Sequence, residues 1–243
     1  MRSCRHAPYP VPLRLLPLLL AVLVAAPAAA QPDARALLDG WLRDWRRAAA
    51  DVDAVVMRER TDWTVDGPRG RTVVEGEATV RYTRGGPPER DVERVRVDGR
   101  EVAPDRGRRS GRRWQRAFGP AGREVHAPPP LPGPLLAQAR PLRVEADRFG
   151  GVAAWRVTLD VPTDRTDAWF TRGAQPRLLA MRFEGPRPRG GRIAREVRYT
   201  RVGGLDVPAA SETTFTARQR RRLREYYVTL SAEARYDRHD VRR

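Results

Sequence analysis

Apolar residues recur at every second position over much of the chain beyond Asp53, and this pattern constrains the fold more than any other feature. In the stretch 72–83, Val74, Val80 and Tyr82 share one side, whereas charged and hydroxyl residues occupy most of the other. The same alternation returns at 155–161 and 226–236, and further strands are predicted at 168–171, 178–183, 193–199 and 211–217. The pattern therefore predicts many strands, each with one apolar and one wet face.

Short connections separate these strands, so neighbouring strands are expected to be antiparallel. Turn signals lie at Asp66-Gly67-Pro68, Asp98-Gly99, Arg172-Gly173 and Gly203-Gly204. One polar face per strand indicates a sheet with one side in water. A sandwich of two sheets fits the same alternation. The amino-terminal helix favours the open form, because a helix can cover the apolar face of a single sheet.

That helix is predicted to begin at Pro32 and Asp33 and to end near Ala50. Its apolar positions fall on one face: Leu38, Trp41, Leu42, Trp45 and Ala49. The simplest interpretation is a helix packed on the sheet. A second interpretation, compatible with the first, is a lid over an apolar cavity.

The first thirty residues have the features of a secretory signal peptide. Arg2, Arg5 and Arg14 precede or flank a short apolar run, and Ala28-Ala29-Ala30 matches a signal-peptidase site. We expect cleavage after Ala30 and export to a bacterial periplasm, which leaves 31–243 as a single domain. The one cysteine, Cys4, would be removed with the signal, so the mature chain has neither a disulfide nor a thiolate site. It also lacks a cysteine at the cleavage point for lipid attachment, so it is expected to be peripheral to a membrane at most.

The formal net charge is +17, and every cation is arginine. The absence of lysine indicates genomic codon bias, so the choice of arginine is not treated as a recognition signal. The positive field itself attracts anionic partners, and export excludes nucleic acid and leaves anionic envelope lipids or polymers. Candidate headgroup contacts are Arg108, Arg109, Arg112, Arg113, Arg220, Arg221 and Arg222. Such runs are also typical of solvated turns.

The region 103–134 is rich in arginine and then in proline, and it is predicted to be a mobile loop inserted in the domain. A short helix is expected to follow at Leu135–Ala139.

Residues for catalysis are scarce. No serine of the mature chain lies in a G-x-S-x-G motif, and His126 and His239 are the histidines that remain after cleavage. Neither belongs to a spacing that would give a metal three or four ligands. The carboxylates fall mostly on the polar strand faces, where a substrate-cleaving pair would not be expected. The chain is therefore predicted to be neither an enzyme nor a holder of a metal or cofactor.

A family resemblance is carried by the second half of the chain. Its segments are Trp155–Asp160, Ala168–Thr171, a turn ending in Pro176 before Arg177–Phe183, Arg195–Arg201, and Gly203-Gly-Leu-Asp-Val-Pro208. This order resembles the outer-membrane lipoprotein-sorting superfamily of LolA-like and LolB-like proteins. The resemblance implies a mainly β fold: a curved antiparallel sheet forming an incomplete barrel, with an amino-terminal helix and a short middle helix covering the concave face. The missing lipidation cysteine and the 103–134 insertion depart from that family.

The resemblance implies non-catalytic sequestration of acyl chains, and we expect a monomeric periplasmic carrier of lipid or lipidated protein. The predicted cavity residues are Leu38, Trp41, Trp45, Val74, Tyr82, Leu136, Trp155, Leu179, Met181, Phe183 and Phe215. The alternative is an adaptor of the cell envelope, whose arginine-rich loops bind an anionic polymer or a protein and whose own helices fill the concave face. A third interpretation, a hydrolase, requires two facing carboxylates or a supported histidine in a cleft.

Overall fold

The alternating stretches form one open antiparallel sheet in the computed structural model. The structure describes residues 31–67, 70–103, 127–161, 164–187, 191–221 and 224–243. The predicted signal peptide and most of the predicted insertion, including Arg108, Arg109, Arg112 and Arg113, lie outside these ranges, as does Arg222. Arg220 and Arg221 lie in a described strand, but their side chains lie outside the description.

The strands of the described ranges have the following bounds: β1 Ala54–Gly67, β2 Gly70–Thr83, β3 Glu89–Val97, β4 Arg100–Val102, β5 Arg140–Phe149, β6 Val152–Val161, β7 Asp164–Thr171, β8 Leu178–Arg187, β9 Gly191–Val202, β10 Leu205–Arg221 and β11 Arg224–Arg242. The helices are α1 at Ala34–Ala49 and α2 at Pro132–Leu136.

The sheet order is β4-β3-β2-β1-β11-β10-β9-β8-β7-β6-β5. Consecutive strands are neighbours almost throughout, and the long pairing of β1 with β11 joins the two ends of the domain. Because β4 and β5 are the edge strands, the sheet is not closed into a barrel. The prediction of an open antiparallel sheet with helices on one face is confirmed, and the sandwich alternative is not adopted.

Helix α1 begins at the predicted position. The Asp33 side chain caps it by accepting a hydrogen bond from the Ala36 backbone N–H at 2.8 Å. The prediction for α2 was wrong by three residues, because the helix spans Pro132–Leu136 instead of beginning at Leu135. Proline is well tolerated in the first turn of a helix, where a backbone N–H has no intrahelical acceptor.

The outer face of the sheet is polar and carries cross-strand ion pairs. Arg182 contacts Glu196 at 2.7 Å, and Arg198 lies 3.1 Å from Glu196 and 2.7 Å from Glu212. Arg182 and Glu196 are directly opposite on neighbouring strands, Arg198 and Glu212 are diagonal, and Arg198 and Glu196 lie two residues apart on β9. The outer face is therefore the solvent-facing side that the alternation predicts. The opposite side carries the apolar residues and is here called the inner face.

Candidate binding site on the inner face of the sheet

Helix α1 lays its apolar side on the inner face over β5–β9. Leu38 and Trp41 are each 1% exposed, so this part of the face is filled by the helix itself. We call the surrounding group the helix cluster, and its members include Leu38, Trp41, Leu42, Leu136, Val144, Trp155, Val157, Leu159, Phe170, Leu178, Met181 and Val197. Burial of these apolar side chains holds α1 on the sheet.

Trp41 is the centre of this contact. Its ring meets Phe170 edge-on, with 5.8 Å between centroids, and lies 6.4 Å from the Trp45 ring. Its indole N–H donates to the Asp206 carboxylate at 2.8 Å. The Leu178 backbone N–H donates to the same carboxylate oxygen at 3.1 Å. Asp206 therefore joins the helix to two strands of the sheet.

Asp206 is itself almost fully buried, at 1% exposure. Burial raises its pKa, and the hydrogen bonds from Trp41 and Leu178 together with the Arg201 guanidinium oppose that rise. Arg201 Nε lies 3.9 Å from the second carboxylate oxygen. The Asp206 carboxyl therefore has a structural role, because it links α1 to the sheet.

A second covering element is formed by residues 127–131, here called the covering segment. Pro128 and Pro129 are buried, and the Pro129 carbonyl accepts a hydrogen bond from the Tyr82 hydroxyl at 2.7 Å. The Ala127 carbonyl accepts one from Arg195 at 2.8 Å. The prediction of a mobile loop is wrong for this part of 103–134, because its prolines pack and its carbonyls are bonded to the sheet.

Helix α2 follows the covering segment and touches α1 closely. A Cβ atom added at Gly133 would lie 2.3 Å from the Trp45 ring, far inside van der Waals contact. Glycine is therefore required at this position for α2 to reach α1. Leu136 is fully buried beside them.

Two further apolar clusters lie on the inner face. The hairpin cluster, towards the β10–β11 turn, consists of Val65, Ile193, Phe215, Ala217, Val228, Leu230 and Ala232, with Trp63 packed against it. The terminal cluster consists of Val52, Val55, Met57, Val80, Tyr82, Leu205, Val207, Ala234 and Tyr236, with Trp45, Ala48, Ala49 and Leu131 among the residues packed against it. The described members of the hairpin cluster all come from strands, whereas the other two clusters include residues of α1 or of residues 127–139.

A belt of buried polar residues lies between these clusters. It contains Glu59, Thr61, Ser211 and Thr213, none more than 5% exposed. Glu59 forms an ion pair with Arg90 and accepts a hydrogen bond from the Tyr236 hydroxyl at 3.1 Å. The carboxylates were expected to lie mostly on the polar strand faces, and Glu59 and Asp206 are exceptions that lie buried on the inner face.

The sequence pattern does not predict these two acids on the inner face, and both have bonded partners there. Glu59 is bonded to Arg90 and Tyr236, and Asp206 is bonded to Trp41 and Leu178. The alternation assigns charged residues to the wet face, so period alone gives no signal for them. The aromatic partners on the inner face are the feature that could have pointed to buried acceptors.

The tyrosine hydroxyls of the inner face stay protonated over an extended pH range. Burial raises the pKa of Tyr82, Tyr199 and Tyr236 above the usual tyrosine value, and the nearby Arg195 charge opposes that rise for each of them. Arg195 therefore lies within electrostatic range of all three phenols.

The predicted cavity residues lie on the inner face with one exception, although they fall into separate groups. Leu38, Trp41, Leu136, Trp155 and Met181 belong to the helix cluster, and Trp45 and Phe183 pack against it. Tyr82 belongs to the terminal cluster and Phe215 to the hairpin cluster. Val74 is half-buried and pairs with Trp63 across β1 and β2. That these residues bind a ligand remains a prediction.

Leu179 is the exception, and it packs against Trp169, Ala154 and Ala180 in a separate cluster. The register between β7 and β8 shifts here, so Phe170 pairs with Leu178 while Trp169 pairs with Ala180. The bulge leaves Leu179 as the extra residue and places Leu178 and Met181 in the helix cluster. Strict alternation could not predict this change of face.

A groove of about 280 Å³ lies between α1 and α2. Charged side chains of α1 form much of its lining, together with the edges of the helix cluster: Arg35, Leu38, Asp39, Leu42, Arg43, Arg46, Leu136, Ala137 and Ala139. Its mixed lining distinguishes it from the apolar inner face.

Membrane-spanning helices and clusters of metal ligands are both absent from the described residues. No helix there has the length and hydropathy needed to cross a bilayer. No group of three or more His, Cys, Asp or Glu side chains in those ranges is arranged to hold a metal ion.

No protein-family model and no curated protein matches the sequence. Among solved structures, the chain is similar to a domain assigned to outer membrane lipoprotein sorting from Vibrio parahaemolyticus, with 10% identity, 84% of this chain and 93% of that chain covered, and a TM-score of 0.35. It is also similar to MucB in complex with MucA(peri), with 10% identity, coverages of 81% and 93%, and a TM-score of 0.18. A MucA/MucB complex from Pseudomonas aeruginosa gives 10% identity, coverages of 85% and 99%, and a TM-score of 0.18.

Proposed function

We propose that this protein is a periplasmic carrier that holds acyl chains of lipids or lipidated proteins on the inner face of the sheet, without catalysing a reaction. The observation that carries the proposal is the extent of the apolar inner face. It spans the helix, hairpin and terminal clusters, and the described members of the hairpin cluster all come from strands. Three apolar clusters on one face, with covering elements packed on two of them, suit a ligand made of methylene groups.

Helices α1 and α2 and the covering segment together form the cover of the inner face. The cover is held on the sheet mainly by apolar contacts that an acyl chain can replace. Side-chain hydrogen bonds join it to the sheet at Trp41 of α1, which donates to Asp206, and at Pro129 and Ala127, whose carbonyls accept. Most of the remaining contact is apolar burial of α1 and α2. Because the hydrophobic effect is not directional, a lipid chain offers the inner face the same stabilisation as the helix.

The energy of such an exchange is sufficient for reversible binding. Each methylene removed from water contributes about 0.8 kcal/mol, so a chain of about sixteen carbons offers roughly 12 kcal/mol. Association costs about 4–15 kcal/mol in lost motion and ordering. A single chain is therefore held weakly to moderately, whereas two or three chains on one cargo molecule are held firmly and are released without a chemical step.

The proposal is tested by uptake of an environment-sensitive fluorescent acyl probe with an uncharged head. We expect saturable uptake that changes little with salt, since apolar burial is not screened. Ala232→Gln places an amide on the inner face and should weaken uptake by about tenfold, because burying an unpaired amide costs about 1–3 kcal/mol.

The matched control is Ser231→Gln, one residue earlier on the same strand and exposed. It should leave uptake unchanged. Absence of uptake by the folded wild-type protein, or equal weakening by both substitutions, would contradict the carrier proposal.

A second candidate function, an envelope adaptor, is favoured by one observation. Leu38, Trp41 and Leu136 are no more than 1% exposed, so the protein fills that part of the inner face with its own helices. An adaptor would bind lipopolysaccharide or an acidic glycan with strong salt dependence and would take up no acyl probe. The same titration, repeated with lipopolysaccharide over a salt series, separates the two functions.

A further inference from the structure

One half-buried arginine of the inner face has no acidic partner among the described residues. Arg195 lies on β9 and donates a hydrogen bond to the Ala127 carbonyl, while its Nε atom is buried and has no partner in the described part of the chain. Three other half-buried arginines are paired with carboxylates: Arg58 with Glu77, Arg90 with Glu59, and Arg156 with Glu145. A buried guanidinium Nε without a hydrogen-bond partner is costly, and among the described residues Arg195 has no anion to offset that cost, so it favours a negative partner.

Its position is at a boundary between apolar regions. On β9 the inward neighbours of Arg195 are Ile193, in the hairpin cluster, and Val197, in the helix cluster. On the adjacent strands, Phe183 and Thr213 lie directly opposite it. An anion placed here would have apolar surface on both sides.

The surroundings supply neutral hydroxyl groups in place of competing charge. Ser211 and Thr213 are buried on the same face. The pKa values of Tyr199 and Tyr236 are raised by burial, so their hydroxyls remain protonated, and the Arg195 charge acts on both. The carboxylate of this belt, Glu59, is already matched by Arg90.

One end of the Arg195 side chain reaches an exposed residue. The guanidinium reaches outward to Ala127, which is exposed, while Nε lies inside. The side chain therefore extends from the apolar interior to the edge of the covering segment. An amphiphile with its head group at the exposed end of Arg195 would have apolar surface of the inner face beside its chain.

We infer that Arg195 binds the anionic head group, carboxylate or phosphate, of a single-chain amphiphile whose acyl tail lies on the inner face. This inference rests on the proposed function and adds to it the chemical class of the cargo. It gives the carrier a preference for anionic over uncharged lipids of the same chain length.

The test compares dodecanoate, dodecyl phosphate and dodecanol by calorimetric titration, each below the concentration at which it forms micelles. The wild-type protein should bind at least one anion about tenfold or more tightly than the alcohol, as expected for a hydrogen bond to a charged group. The tighter anion identifies the head group. Arg195→Met should reduce the affinity for that anion to the level of dodecanol and leave dodecanol binding unchanged.

Two further variants control for charge and folding. Arg198→Met removes an arginine of the same strand from the outer face, where it is paired with Glu196 and Glu212, and should keep the preference. Arg195→Lys retains the charge and should keep part of it. The wild-type comparison of anion with alcohol needs no variant, so it stands even if Arg195→Met does not fold.

The outcomes separate this inference from the proposed function. Equal affinity for the anions and the alcohol overturns the Arg195 inference and leaves the carrier function standing. A preference that persists in Arg195→Met overturns the assignment to Arg195. Failure of all three ligands to bind overturns both.

Discussion

Replacing Asp206 tests how α1 is held on the sheet. Its Oδ2 atom accepts the Trp41 indole N–H at 2.8 Å and the Leu178 backbone N–H at 3.1 Å. Asp206→Ala removes the acceptor and leaves two buried donors unsatisfied. Each unsatisfied donor costs about 1–3 kcal/mol, so the free energy of unfolding should fall by about 2–6 kcal/mol. That is a large part of the roughly 5–15 kcal/mol of a typical domain.

Asp206→Asn is the matched control, because its amide oxygen can accept both hydrogen bonds. It also removes a buried charge, so its effect on the free energy of unfolding should stay within about 1 kcal/mol. Chemical denaturation followed by tryptophan fluorescence and far-ultraviolet circular dichroism measures both variants. Trp41→Phe, which deletes one donor, completes a double-mutant cycle with Asp206→Ala, which deletes the acceptor.

The pH dependence of the same pair gives an independent check. Burial raises the folded-state pKa of Asp206, so the unfolded chain loses this proton at a lower pH than the folded protein does. As the pH rises from below the ordinary aspartate value through the raised folded value, the wild type should lose stability that Asp206→Asn retains. If Asp206→Ala and Asp206→Asn lost the same free energy of unfolding at every pH, Asp206 would not hold α1 through these hydrogen bonds.

Gly133→Ala should destabilise the contact of α2 with α1, because the new Cβ would lie 2.3 Å from the Trp45 ring, and overpacking of this kind costs about 1–3 kcal/mol. Gly40→Ala, where the nearest atom is 3.9 Å away at the end of Arg43, should stabilise helix α1 by up to about 1 kcal/mol, and thermal unfolding measures both. A lower melting temperature for Gly40→Ala than for Gly133→Ala would contradict this packing. Burial raises the pKa of Tyr199, so ultraviolet titration of the folded protein should show buried tyrosines ionising above the usual value of about 10, with stability falling as the pH rises through that value. Ionisation of every tyrosine at the ordinary value without unfolding would show that these hydroxyls are exposed.

The sequence pattern predicts the sheet and α1 well, because both depend on periodic burial. Leu38, Trp41 and Leu42 are buried as the helical period predicts, and Asp33 caps the helix at the predicted start. Alternation predicts the inward positions of β2 correctly from Ala78 to Tyr82. These features follow from local geometry that is repeated along the chain.

The features that the sequence does not predict depend on local irregularity or on tertiary partners. A bulge between β7 and β8 moves Leu179 off the predicted face, and no residue type in that stretch marks it. Asp206 and Glu59 are acids on an apolar face because Trp41 and Tyr236 supply donors from distant parts of the chain. The prolines of the covering segment predict an irregular backbone. The position of this segment on the sheet depends on hydrogen bonds from Tyr82 and Arg195, which are distant in sequence.

The binding surface itself is tested most directly by covalent mapping. A dodecanoate carrying a photoreactive diazirine is bound, illuminated, and located by peptide mass spectrometry. The account predicts labels on strands that line the inner face, at or near Met181, Ile193 and Phe215. Labels confined to exposed apolar residues such as Leu142 and Val152, which are 57% and 48% exposed, would contradict acyl binding on the inner face.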